Sequence, residues 1–157
     1  EADIPVTVNN IMGYPDETRE LIFDTIELNR MVKSATINAY LYNPYNGTEL
    51  YEVAKKKGYI PSETETKTKD IALSTHAFSY FKTILKMPTI SRQELLGLQK
   101  TFILYAKLPR HEFPRIQIAE QNNEIGKRTF EDLSSEYNDI IVGKKILPKP
   151  VSEYLTA

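Results

Sequence analysis

Cysteine and tryptophan are missing from the 157 residues, and only 6 are glycine. Without cysteine this chain alone can hold no disulfide, no thiolate zinc site, no cysteine nucleophile and no thiolate-ligated iron-sulfur cluster. The glycines stand at 13, 47, 58, 97, 126 and 143, too far apart for a dinucleotide-binding GxGxxG or a phosphate-cradling loop. No run approaches the roughly 20 apolar residues of a membrane span, and no charged-then-apolar leader opens the chain, so a cytoplasmic location is expected. Charge of one sign is also lacking. The 20 Lys plus Arg against 21 Asp plus Glu leave a net −1, which gives no general drive toward nucleic acid or anionic lipid. What is present is 41% hydrophobic residues. A chain of this size removes roughly two-thirds of its unfolded surface from water.

The stretch Ile4 to Met12, IPVTVNNIM, is β-branched and mostly apolar, the composition of a strand buried on both faces. A strand so near the first residue suggests a piece cut from a longer protein. Gly13-Tyr14-Pro15-Asp16 supplies turn chemistry and a first-turn acid, and Leu21, Ile22, Ile26, Leu28 and Val32 then recur at helical spacing. Ala35 to Tyr42 reads as a second strand, closed by the turn cluster Asn43 to Gly47. A helical connection of about 20 residues makes the two strands a parallel, right-handed βαβ unit. A short helix, Thr48 to Lys57, stops at Gly58, and Lys55, Lys56 and Lys57 offset its C-terminal partial charge. Residues 61–70 lack apolar periodicity and divide residues 1–60 from a helical half, 61–157. That half carries three stripes: Ile71, Thr75, Phe78, Phe81 and Leu85; then Leu95, Leu98, Phe102 and Tyr105 behind a Ser91/Glu94 capping box; then Gly126, Phe130, Leu133, Tyr137 and Ile140, joined to a segment around Ile116 and Ala119. Two strands and about five helices leave a parallel pair short of cover, so further strands or another copy of the chain must supply it.

The turns after the strands carry the specific signal. Ile11-Met12-Gly13-Tyr14-Pro15-Asp16-Glu17-Thr18 follows the first, and Pro44-Tyr45-Asn46-Gly47-Thr48-Glu49-Leu50-Tyr51 follows the second, before a helix ending Lys57-Gly58-Tyr59. Together, over roughly residues 1–60, they resemble the C-terminal part of a radical S-adenosylmethionine (radical SAM) barrel. The likeness is to the cobalamin-binding group that includes the anaerobic magnesium-protoporphyrin monomethyl ester oxidative cyclases. Asn9 stands where that family often has a further glycine, and Asn46 where it often has a proline.

The resemblance implies an α/β fold, the last parallel strands of a partial barrel followed by a helical extension that covers substrate. It implies a parent enzyme in which cysteines near the first strand hold a 4Fe-4S cluster. That cluster would reduce S-adenosylmethionine to a 5′-deoxyadenosyl radical. This piece, lacking those cysteines, would be inactive alone and bind S-adenosylmethionine weakly at most. Ile11 would lie against the adenine, with Gly13 and Pro15 shaping the turn. Tyr40, Leu41 and Tyr42 would offer backbone hydrogen bonds and an aromatic face. Glu17 would complete the cofactor-binding set, either as part of the site or as an acceptor that locks the loop. The expected partners are the missing barrel and cobalamin-binding regions and a small-molecule substrate, with cobalamin itself a candidate cofactor. Exposed strand edges would favour self-association. No catalytic or metal-ligating residue is assigned to this chain.

Plainer readings stand beside these. Gly13 and Pro15 suit any strand-to-helix turn, and Glu17 suits a helix N-terminus. His76 and His111 have no partners at ligand spacing. Arg110, His111 and Arg115 read as a solvated loop, and Phe78, Phe81, Phe102 and Phe130 as core. A non-catalytic helical interaction module on a small α/β unit, or an unrelated α/β binding domain, remains the alternative.

Overall fold

The structure, a computed structural model, describes residues 5–32, 34–61 and 83–143. Among these are two strands and five α-helices: β1 (Thr7–Met12), α1 (Arg19–Met31), β2 (Thr36–Leu41), α2 (Glu49–Lys56), α3 (Arg92–Lys107), α4 (Phe113–Ala119) and α5 (Glu124–Gly143), with a 3-10 turn at Arg110–Glu112. β1 and β2 pair in parallel from Thr7 opposite Thr36 to Met12 opposite Leu41. The fold is therefore α/β, and no helix among the described residues is long and apolar enough to cross a membrane.

Helix α1 starts later than the turn chemistry implied. Residues 15–17 belong to a turn, Thr18 is the N-cap, and the first-turn acid is Glu20. Its buried face is Ile22, Ile26 and Asn29, while Leu21, Leu28 and Val32 of the expected stripe are exposed. The reason is angular: at 3.6 residues per turn, 22, 26 and 29 fall on one arc and 21, 28 and 32 on another. Asn29 is satisfied in its buried position. It exchanges amide hydrogen bonds with Asn10 of β1 (2.8 and 3.1 Å) and donates to the Thr25 carbonyl at 2.8 Å.

Helix α3 covers the sheet. It begins with the capping box expected at Ser91 and Glu94. Leu95, Leu98, Phe102 and Tyr105 are all buried in the core, and each such side chain contributes about 1.5–3 kcal/mol. The core runs without a break from Met12, Ile22, Ile37 and Leu41 to Ile116 and Leu133, so residues on both sides of position 60 share it. Ile116 and Ala119 belong to α4, a helix separate from α5. Ile140, expected in the α5 stripe, is exposed. Leu85 is buried but lies outside any helix, and residues 71–81 of its expected stripe fall outside the described residues.

β1 is not buried on both faces. Val8, Asn10 and Met12 turn toward α1 and α3, whereas Thr7, Asn9 and Ile11 are exposed, because the helices among the described residues that pack on the sheet lie on one side.

Polar contacts fix the helices to one another. Arg19 makes a two-pronged ion pair with Glu120 (2.7 and 2.8 Å), and Glu120 also accepts the Tyr105 hydroxyl. Burial, reinforced by Glu120, pushes the Tyr105 hydroxyl far above its ordinary pKa. Arg30 donates to the Tyr105 and Leu108 carbonyls, so a cation from α1 satisfies the C-terminus of α3. The basic cluster has similar partners, since Arg110 meets Glu27 at 2.7 Å and Arg115 meets Glu112 and Glu136 at 2.8 Å.

Gly97 is where α3 and α4 touch. A Cβ there would lie 2.8 Å from the Glu120 carbonyl oxygen. Gly97→Ala is expected to lower stability by about 1–3 kcal/mol in urea unfolding, through overpacking against backbone. Leu96→Ala, at an exposed neighbouring position, should cost far less.

Candidate functional site

The carboxyl ends of the two parallel strands bring the predicted residues together. Ile11 and Tyr40 are register partners on the face that no helix among the described residues covers, and Ile11 is 50% exposed there. Behind them on the same face stand Asn9 with Asn38 and Thr7 with Thr36, each pair joined by a side-chain hydrogen bond of 2.9 and 2.6 Å respectively. Leu41 turns its side chain into the core. Tyr42 extends the ladder with its amide, which donates to the Met12 carbonyl at 2.7 Å. That amide is therefore spent on the sheet, and of the backbone bonds expected from residues 40–42 it is not one a ligand could use. The Tyr42 ring instead stacks on Tyr14, with centroids 4.9 Å apart. Its hydroxyl is buried with no hydrogen-bond partner among the described residues, and burial holds its pKa above the usual tyrosine value.

The turn after β1 is built by backbone geometry and two acids. Gly13 has φ +85°, a conformation that costs other residues about 1–2 kcal/mol. The Glu17 amide donates to the Tyr14 carbonyl at 2.9 Å, with Pro15 second in the turn and Asp16 third at φ +67°. Those are the requirements of a type II turn. The Glu17 carboxylate folds back to accept the amides of Gly13 and Tyr14, the latter at 3.2 Å. It is thus engaged by the loop, directly ahead of the Thr18 cap. Burial raises its pKa, and the two amides pull the other way.

Asp16 fastens this turn to the end of α2. It accepts from the Lys57 ammonium and from the Tyr59 hydroxyl (2.7 Å), which hold its carboxyl below the ordinary range. α2 ends as the sequence implied. The Gly58 amide returns to Lys55 and the Tyr59 amide to Ala54, the paired bonds of a Schellman motif. Thr89, just ahead of α3, donates to the Glu17 carbonyl at 2.8 Å and so ties the turn to the helical half.

Tyr14, Asp16, Lys57, Tyr59 and Thr89 were not expected at this site. Lys57 and Tyr59 lie more than 40 residues from Asp16, and no periodicity links positions so distant. A cavity of about 280 Å³ lined by Pro61, Ile84, Leu85, Lys86, Met87 and Arg92 involves none of the seven predicted residues. His111 is exposed beside Glu112, and His76 lies outside the described residues. No group of three or more His, Cys, Asp or Glu among the described residues is placed to hold a metal ion. Compared with protein-family models, curated proteins and solved structures, the chain matches none.

The raised pKa of Glu17 has a definite sign. A carboxyl whose folded pKa exceeds its unfolded one stabilises the fold fully below the unfolded value. That contribution is lost as pH rises through the folded value. In an NMR titration the Gly13 amide should follow the Glu17 carboxyl and report a pKa above that of ordinary glutamate. Glu17→Gln should abolish this step and flatten the corresponding part of the stability curve. A Gly13 amide that titrates unchanged in the variant would sink the assignment.

Proposed function

We propose that the chain is part of a radical SAM enzyme and contributes the adenosine side of the S-adenosylmethionine site. One observation carries the reading: at the carboxyl ends of two parallel strands, an exposed Ile11 lies beside Tyr40, next to a tight glycine turn. Ligands of parallel α/β folds sit at that end of the strands. Ile11 would pack on the base. Tyr40 offers an aromatic face, and Gly13, fixed by Glu17, keeps the turn out of the way. The face that no helix among the described residues covers would be the barrel interior, which accounts for its Asn9–Asn38 and Thr7–Thr36 pairs where a protein core would have apolar residues.

The residues present suit an adenosine but not the cluster, whose thiolate ligands this chain lacks. S-adenosylmethionine, reduced at a cluster held by cysteines elsewhere in the parent, would supply the radical chemistry; the residues here hold and orient its nucleoside. The parent would act on a small molecule, with a cobalamin-binding region as a further partner. A covering role is not proposed for α3, α4 and α5, because they pack on the α1 side of the sheet, away from the open face.

Two measurements test this. A longer product of the same gene, reconstituted anaerobically, should show iron-sulfur absorption and release 5′-deoxyadenosine from S-adenosylmethionine on reduction; its failure to do so removes the enzymatic reading. With the 157-residue chain, adenosine should shift the amides of Ile11, Gly13, Tyr14 and Tyr40 weakly in heteronuclear NMR. Ile11→Asp should reduce those shifts, and shifts confined to other regions would exclude the site.

A further inference from the structure

Helix α2 has less apolar hold on the rest of the chain than α1 or α3. It buries one side chain, Ala54, where α1 buries Ile22, Ile26 and Asn29 and α3 buries Leu95, Leu98, Phe102 and Tyr105 among others. A single methyl group is a small anchor for eight residues. The C-terminal end of α2 is fastened instead by Tyr59, which bonds to three segments at once. Its amide closes the helix on the Ala54 carbonyl at 2.9 Å, its carbonyl accepts the Lys86 amide at 2.8 Å from the segment leading to α3, and its hydroxyl donates to Asp16 at 2.7 Å. Asp16 commits both carboxylate oxygens here, Oδ1 to Tyr59 and Oδ2 to the Lys57 ammonium.

Asp16 does this from an unfavourable backbone conformation. It is third in a type II turn at φ +67°, a position that favours glycine, so an aspartate there carries strain. The ion pair does not offset it: the Lys57 and Asp16 side chains are 42% and 46% exposed, and pairs so exposed contribute little to stability. A carboxylate kept at this position is therefore accounted for by what it holds in place rather than by how firmly it stabilises the fold.

We propose that Asp16 is a positioning residue: acting through Tyr59 and Lys57, its carboxylate holds α2 and the turn ahead of it at one spacing from the Gly13 turn, and so keeps the two sides of the adenosine seat assembled. Glu17 shapes the first turn from within, and the Tyr42 amide ties the start of the second connection to Met12. Asp16 reaches the far end of that connection, 41 residues away at Lys57. The consequence for adenosine rests on the proposed function, whereas the clasp is a property of the free chain.

Amide hydrogen exchange of the 157-residue chain, without ligand, tests the clasp. Asp16→Gly suits the turn but has no carboxylate. It should speed exchange of the Val53, Ala54, Lys55 and Lys56 amides at least about tenfold, a local opening that leaves Phe102 and Tyr105 of α3 and the urea midpoint as they are in the natural chain. Tyr59→Phe keeps the ring and loses the hydroxyl. It should act in the same direction, add little when combined with Asp16→Gly, and answer the question should the glycine variant fail to fold. Asp16→Asn, which retains an acceptor for Tyr59, should lie between. In the same chains the adenosine concentration that half-shifts the Gly13 and Tyr40 amides should rise at least about threefold for Asp16→Gly, since a seat assembled for part of the time binds in proportion. Unchanged exchange in α2 overturns the proposal, as does acceleration spread equally over α2 and α3, which would make Asp16 a general stabiliser. Undiminished adenosine affinity with α2 loosened overturns the positioning of the seat. A natural chain that shows no adenosine shift counts against the proposed function, and the exchange result still decides the clasp.

Discussion

Burial of α3 against β2 and α1 is the interaction on which the remainder of the structure depends. Two parallel strands have no independent stability in water, since a pair alone buries too little and exposes two edges. α3 supplies what they lack. Leu95 reaches the buried Gly13 turn, Leu98, Phe102 and Tyr105 fill the space above the sheet, and Gln99 binds a carbonyl on the β2 edge. The helix is in turn held by charges from its neighbours. Arg30 satisfies its last carbonyls, and Glu120 receives both Arg19 and the Tyr105 hydroxyl. Removing one member of such a partly buried group leaves the others unpaired, which costs more than the pair itself is worth.

The turn after β1 shows how a site inherits its shape from this packing. Gly13 sits against Leu95, and Thr89 holds the Glu17 carbonyl, so the loop at the strand ends is bound to the segment leading into α3. Two adjacent carboxylates divide the work. Glu17 turns inward and takes the loop amides, and Asp16 turns outward to Lys57 and Tyr59 on the next connection. The strand-end turns are thereby joined to each other as well as to the core. Their relative position is set by bonds rather than left to loop flexibility, as a binding surface made from two separate turns requires.

Much of this was legible in the residues, for identifiable reasons. The strands, their parallel pairing, the capping box of α3 and the end of α2 rest on local signals: β-branched runs, a helical connection, Ser91 with Glu94, and Lys-Gly after an amphipathic turn. Faces were harder. Leu21, Leu28 and Val32 follow a helical period as well as Ile22 and Ile26 do, and hydrophobicity alone cannot say which arc meets the sheet. What decided it was Asn29, a polar residue buried because Asn10 lies opposite, and that pairing spans 19 positions of sequence. The Asp16–Lys57–Tyr59 cluster and the Tyr14–Tyr42 stack were hidden for the same reason, each depending on two turns meeting in space.

The open face of the sheet is chemically unusual in one respect: it carries no charge. Thr7, Asn9, Ile11, Thr36, Asn38 and Tyr40 present hydroxyls, amides, one aliphatic and one aromatic side chain. The amides and the hydroxyls are tied to one another across the strands, so their capacity for water is partly spent. A strand face meant for bulk solvent carries lysine or glutamate, which stay hydrated and discourage contact. A face meant for a protein core carries aliphatic residues throughout. This one is neutral and hydrogen-bonding along most of its length and apolar at the carboxyl end, where Ile11 meets Tyr40. Under the proposed function the apolar carboxyl end would seat the base and the neutral remainder would line the barrel interior, and that end is the one at which the glycine turn brings its backbone close.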